Sequence, residues 1–210
     1  MHNTNEQRIA SGLWLPLMEE FYTLQGEGYH TGKPAYFIRV GGCDNACHWC
    51  DTKASWNAAL YPLVHINEII NRAKACAAGA VVVTGGEPLN YNLNPLCSSL
   101  KAEGLSLFLE TSGSAPLSGE WDWICLSPKR KIHVHNDLFL AANELKVVVL
   151  EESYLEFAEQ LAEKVNSSAL LYLQPEWSRR NVVMPRIIEY IKANPKWRIS
   201  LQSHKYMQIP

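Results

Sequence analysis

Seven short apolar runs, each closing on small or polar residues, limit what this chain can fold into. They are Ala35–Val40 (AYFIRV), Ala80–Thr84 (AVVVT), Leu105–Leu109 (LSLFL), Trp123–Leu126, Leu145–Leu150 (LKVVVL), Ala169–Leu173 and Trp197–Leu201. Runs of this length, rich in β-branched residues, read as strands. Residues 66–78, 92–103, 152–165 and 182–194 read as helices, the first with Asn67 as its N-cap. Short buried strands alternating with helices call for a parallel sheet covered by helices. Seven strands in 210 residues are too few for a closed eight-fold barrel with ordinary helices. The expected fold is therefore α/β: an incomplete, open parallel β/α barrel in which some connections lack a helix. No repeat, low-complexity stretch or linker divides residues 1–210, so one domain is expected.

Composition narrows the partners. The net charge of −2 argues against a general basic surface for nucleic acid. The one basic run, Pro128–His135 (PKRKIHVH), reads mainly as a solvated loop. No stretch is long enough to cross a membrane as a helix. The opening MHNTNEQRIASG has no apolar core, so no signal peptide is expected. Six cysteines, three of them clustered, fit a reducing cytoplasm better than a disulfide framework.

Polar residues gather just after the strands: Cys43, Gly85-Gly86-Glu87, Glu110 and Ser112, Ser127 and Lys129, and Gln174. Parallel α/β folds build their sites at the carboxyl ends of strands. Any one of these loops could be an ordinary turn, but five together predict one shared mouth.

The clustered cysteines are Cys43, Cys47 and Cys50, in CDNACHWC, at CxxxCxxC spacing. Gly41 and Gly42 just before them permit a tight turn. A cubane iron–sulfur cluster takes four ligands, so three leave one iron open. Structural zinc sites close with four ligands, often as two knuckles. No second knuckle follows, and Cys76, Cys97 and Cys125 stand alone. His48, however, lies between the cysteines. The triplet by itself leaves an open cluster, a zinc site and free thiols all standing.

Thr84-Gly85-Gly86-Glu87-Pro88 follows one strand and one helix later. Alone it reads as a glycine turn. Combined with CxxxCxWC, it resembles the radical S-adenosylmethionine superfamily over nearly the whole chain. The resemblance implies a barrel of the radical SAM type. It implies a 4Fe–4S cluster on Cys43, Cys47 and Cys50, its open iron chelated by the amine and carboxylate of S-adenosylmethionine. It places the cofactor against Trp49, Cys50 and Asp51, against Gly86 and Glu87, and against Ser112. Ser127, Pro128 and Lys129 would hold its nucleoside and carboxylate ends, and Gln174, Pro175, Glu176 and Trp177 would complete the adenosyl pocket. The chemistry implied is one-electron cleavage of the sulfonium to give a 5′-deoxyadenosyl radical.

Two end segments speak to the substrate. Glu20–Gly28 reads EFYTLQGEG and Leu201–Pro210 reads LQSHKYMQIP. On its own the first is a flexible loop, and His204 is a surface histidine near a chain end. With the Cys50-Asp51-Thr52 segment they are similar to the 7-carboxy-7-deazaguanine synthases of queuosine and deazapurine biosynthesis. That resemblance implies ring contraction of 6-carboxy-5,6,7,8-tetrahydropterin, with loss of ammonia and regeneration of S-adenosylmethionine. Residues 19–30 and 201–210 would close the substrate site. Arg39 would meet the substrate carboxylate as a planar fork. Leu24, Gln25, Gly26 and Glu27 would read the pyrimidine edge, with Thr84, His204 and the carboxylate of Pro210 completing the pocket. Thr52 would ligate Mg2+, although from the residues alone it is equally a helix N-cap. A flavodoxin- or ferredoxin-type reductant and a homodimer are also implied. A glycyl-radical-enzyme activase would share the triplet without needing these ends. A non-catalytic zinc or iron–sulfur protein would leave the strand-end loops unexplained.

Overall fold

Side chains alternate strictly along the central strands, and this alternation divides the molecule into a helix-facing side and an inner side. The computed structural model describes residues 4–210; the first three residues of the stretch read as carrying no signal peptide lie outside them. The strands are β1 (Trp14–Leu24), β2 (Pro34–Val40), β3 (Leu63–His65), β4 (Ala80–Gly85), β5 (Ser106–Thr111), β6 (Trp123–Leu126), β7 (Glu144–Val149), β8 (Leu170–Pro175) and β9 (Trp197–Ile199). The helices are α1 (Asn5–Ala10), α2 (Ile66–Ala75), α3 (Asn94–Ala102), α4 (Asn136–Ala141), α5 (Ser153–Ala162), α6 (Arg180–Ala193) and α7 (Ser203–Met207). One sheet has the order β3-β1-β2-β4-β5-β6-β7-β8-β9 and stays open, with β3 and β9 at its edges.

The seven strands expected from the sequence are the parallel ones, β2 and β4 to β9. The expected absence of some crossover helices is found between β5 and β6. Strands β1 and β3 are additions, and both pair antiparallel. Residues 20–24 of the segment that reads alone as a flexible loop are thus strand, paired in register with β2. A mixed run broken by Pro16 hid β1, whose register also shifts between Leu17 and Glu19. The cap of α2 also differs from expectation. His65, not Asn67, is the N-cap, and its imidazole Nδ1 accepts from the Asn67 backbone N–H at 3.2 Å.

On the outer side Ile38, Val81, Val83, Leu107, Leu109, Leu145, Val147 and Leu173 are fully buried against the helices. Each such side chain contributes about 1.5–3 kcal/mol through burial. The inner side has a small apolar floor of Ala35, Phe37, Ala80 and Val82, flanked by Phe21 and Phe108. His30 lies flat on Phe108 with ring centroids 4.1 Å apart. Burial, then the charge of Lys33, holds its pKa down to about 4. It packs there as a neutral aromatic ring. Above this floor the inner side turns polar. Among the described residues no helix is long and apolar enough to cross a membrane.

Candidate active site

A cavity of about 400 Å³ opens above the floor at the carboxyl ends of the parallel strands. Cys43, Cys47 and Cys50 all line it, on the loop that leaves β2. This loop is anchored through backbone bonds from Gly42 N–H to Ser55 O (2.6 Å) and from Cys43 N–H to Trp56 O (3.1 Å). It turns through Ala46 at φ 43°. All three thiols are unbridged. Burial above all pushes the Cys43 and Cys47 thiols up. Among the described residues no three His, Cys, Asp or Glu side chains converge on one ion. A single zinc would need its thiolates about 4 Å apart, given its bond lengths and tetrahedral geometry. Cluster thiolates each take a separate iron, so they need not converge on one ion.

The glycine loop after β4 is wedged against the start of the cysteine loop. A Cβ on Gly86 would lie 2.1 Å from the Gly42 carbonyl oxygen and 3.0 Å from Cys43 Cβ. Glu87 N–H donates to that same carbonyl at 2.8 Å. The Glu87 side chain points away from the cavity and is 1 % exposed. Its carboxylate accepts from Thr111 Oγ1 (2.5 Å), Ser112 N–H (2.9 Å), Leu89 N–H (3.1 Å) and the Ser112 hydroxyl. Asn45 of the cysteine loop in turn donates to Ser112 Oγ at 2.7 Å.

Charge is concentrated on the inner wall. Lys146 of β7 donates to Glu27 Oε2 at 2.7 Å and to Glu110 Oε2 at 2.9 Å. Gln25 Nε2 reaches Glu110 Oε1 at 3.2 Å, and Gln202 Nε2 reaches Glu27 Oε1 at 2.9 Å. Burial opposes the charge on Glu27. The Lys146 ammonium and hydrogen bonds from Lys146, Gln202 and Gln174 outweigh it and hold the carboxyl below its ordinary value. Glu144, lower on β7, shifts the other way, because burial and then the charge of Glu110 raise it.

The carboxyl-terminal segment closes the cavity over this wall. Ser203 N–H and Oγ both donate to the Gly26 carbonyl, at 2.9 and 2.8 Å. Lys205 Nζ meets Asp51 Oδ2 at 2.8 Å. A Cβ on Gly26 would lie 2.2 Å from His204 Nδ1, so only glycine leaves room for that ring. Burial lowers the pKa of His204.

Comparison with known proteins agrees with this geometry. The Radical SAM superfamily pattern matches residues 37–134. A 7-carboxy-7-deazaguanine synthase from Flavobacterium psychrophilum is 53% identical over 209 residues, covering 99% of each chain. Its counterpart from Escherichia coli (strain K12) is 33% identical, over 92% of this chain and 98% of its own. The crystal structure of QueE from Escherichia coli superposes with a TM-score of 0.82 at 31% identity, covering 97% of this chain and 100% of that one. The chain belongs to the 7-carboxy-7-deazaguanine synthase family.

Membership in this radical SAM family implies a 4Fe–4S cluster and S-adenosylmethionine. Nearly all residues singled out by the two sequence resemblances, for the cofactor and for the substrate, line this cavity. Leu24, Gln25, Gly26, Glu27, Arg39, Thr84, His204 and Pro210 lie there, as do Trp49, Asp51, Thr52, Gly86, Ser112, Ser127, Lys129, Gln174, Glu176 and Trp177. Three others do not: Glu87 faces the protein interior, Pro175 faces outward between the inward Gln174 and Glu176 at the end of β8, and Pro128 lies in the loop after β6 between two residues that do line the cavity. Thr52 precedes a short 3-10 helix, Lys53–Trp56, without capping it; its hydroxyl donates to Asp51 Oδ1 at 3.2 Å. The sequence reading had no site role for Lys146, Asn45 or Gln202, and used Glu110 only as a strand-end marker. Lys146 had a signal: a lysine within the apolar run LKVVVL.

Proposed function

We propose that this chain converts 6-carboxy-5,6,7,8-tetrahydropterin to 7-carboxy-7-deazaguanine with release of ammonia, a carbon–nitrogen lyase step in deazapurine and queuosine synthesis. One observation carries the reading. The LQGEG turn and the carboxyl-terminal segment join each other across the same cavity that receives the three cysteines. The named relatives support it.

Cys43, Cys47 and Cys50 would hold the cluster. With S-adenosylmethionine bound, that cluster supplies a primary carbon radical able to take hydrogen from an unactivated carbon. Trp49, Ser127, Lys129, Gln174, Glu176 and Trp177 form the wall suited to the cofactor. Lys129 Nζ donates to Ser127 Oγ at 2.9 Å and stands 5.2 Å over the Trp49 ring. Gly86, Asp51 and Ser112 shape its edges. Thr52 offers one hydroxyl to Mg2+, whose other ligands would be water and substrate oxygens. The reading includes a flavodoxin- or ferredoxin-class reductant and a homodimer.

Arg39 would take the substrate carboxylate. Glu19 Oε1 holds its Nε at 2.6 Å, and among the described residues its two terminal nitrogens have no protein partner. Nε is thus anchored and a planar pair of donors is left for a carboxylate. Arg39→Lys removes the fork and keeps the charge. The substrate KM is expected to rise about tenfold to a hundredfold, the range of one charged hydrogen bond, while the S-adenosylmethionine KM stays unchanged. Equal loss of both would contradict this placement.

The test of the function is an anaerobic assay with reconstituted protein, S-adenosylmethionine, reductant, Mg2+ and the carboxytetrahydropterin. Deazaguanine product and about four irons per chain are expected. Folded, cluster-loaded protein that makes no such product would overturn the reading, and omission of Mg2+ tests the ion separately.

A further inference from the structure

We propose that Lys146 is a positioning residue that fixes Glu27 and Glu110 as a pair of ionised acceptors for the N–H edge of the substrate. The inference rests on the function proposed above and extends it to a residue that has no role there.

Three features carry it. The first is placement. Lys146 is on the inner side of β7, and its side chain is 4% exposed between two carboxylates from other elements. Its backbone neighbours Leu145 and Val147 are buried on the opposite side. The second is that both carboxylates line the cavity, and each has its other oxygen fixed by a neutral amide, from Gln202 or from Gln25. Four hydrogen bonds from three side chains thus hold the pair, while each carboxylate keeps lone pairs to spare. The third is charge. Two carboxylates share one ammonium and keep a net negative charge. A reduced pterin presents N–H donors from its exocyclic amine and ring nitrogens, which matches an acceptor pair.

Without the Lys146 cation, two partly buried carboxylates that both bond its ammonium would be left close together with no charge between them. Such a pair takes up a proton, because like charges and burial both disfavour full ionisation. A protonated carboxyl then turns a donor toward the donors of the substrate. The other titratable and charged groups around the cluster are Glu144 on β7, Cys125 on β6, Lys129 after β6 and His204 on α7. None of them bonds either carboxylate. Comparison with the parent enzyme cancels the titration of the substrate, but each of these groups feels the Lys146 charge, so Lys146→Arg, which keeps a cation there, is the control, and its ratio should not vary with pH.

The experiment measures the substrate KM of reconstituted Lys146→Met relative to the parent enzyme from about pH 6.5 to about pH 9. The ratio should be about a hundredfold at the acid end, the upper range for a charged hydrogen bond, and fall about tenfold as the carboxyls ionise with rising pH. Reductive cleavage of S-adenosylmethionine without substrate should match the parent, since Lys146 does not hold the cofactor. A ratio that is independent of pH would overturn the proposal, and so would loss of S-adenosylmethionine cleavage in step with the rise in KM. If Lys146→Met fails to fold, Lys146→Gln keeps a polar side chain toward the two carboxylates while removing the charge that holds both of them ionised. Its ratio should still fall with pH, and a flat ratio again refutes the role. A parent enzyme that forms no product would defeat the underlying function instead, a result seen before any variant is made.

Discussion

Cys47→Ala should reduce product formation below detection and leave the protein folded. Two thiolates on one loop do not retain a cubane cluster that already lacks a fourth protein ligand. The fold has little stake in the thiol itself. Cys47 is only partly buried, and backbone bonds from Gly42 and Cys43 to Ser55 and Trp56 hold the loop. Iron content, turnover and thermal unfolding measured on one preparation check this. Iron and activity should vanish together, with the apo-protein melting point within about 2 °C of the parent apo-protein. The contrast is Cys97→Ala. That thiol is 1% exposed in the helix-facing core. It should lose about 1–2 kcal/mol of stability by cavity formation and keep its iron. Cys47→Ala protein with a full iron complement and normal turnover would show that the triplet is not the cluster site.

Glu87→Gln should produce the largest loss of stability from a single change of one atom type. The buried carboxylate accepts from Thr111, Leu89 and both donors of Ser112. An amide in its place must turn an NH2 group toward at least one of those donors. Leaving a buried group of this kind unsatisfied costs about 2–4 kcal/mol. For a chain of this size that corresponds to a fall of roughly 5–15 °C in melting temperature. The damage should also reach the cysteine loop, because Asn45 is tied to Ser112, which Glu87 holds. Cluster retention should therefore fall, although Glu87 does not line the cavity. An unchanged melting temperature with full iron would contradict this account.

The sequence made the parallel part of the sheet legible and left its antiparallel edge hidden. Strand β4 announces itself as an uninterrupted apolar run because both of its faces are covered. β1 does not, since it mixes Glu19 and Glu20 with apolar residues and only its first three residues pair with β3 on its outer side. Strand ends are less legible: the apolar runs stop short of the ends of β5 and β8 and overshoot those of β7 and β9. β5 runs on through Glu110 to Thr111, so a residue taken for a loop marker is an inner-wall side chain. The cavity residues were legible where a motif named them. Glu87 shows the limit of a motif: the spacing GGEP marks the loop correctly but does not show which way the carboxylate faces. Lys146 and Gln202 were missed because their partners lie 119 and 175 residues away, and only the fold brings them together.

The alternation of the sheet has a consequence for how the chain finds its register. A slip of one residue on β7 would exchange Lys146 with Leu145 or Val147 and thrust an ammonium into the helix-facing core. The same slip on β5 would do so with Glu110. An unpaired ion there costs several kcal/mol, far more than the loss of one apolar contact. The charges that serve the cavity thus act as frame markers during folding: misaligned sheets are rejected by electrostatics as well as by packing.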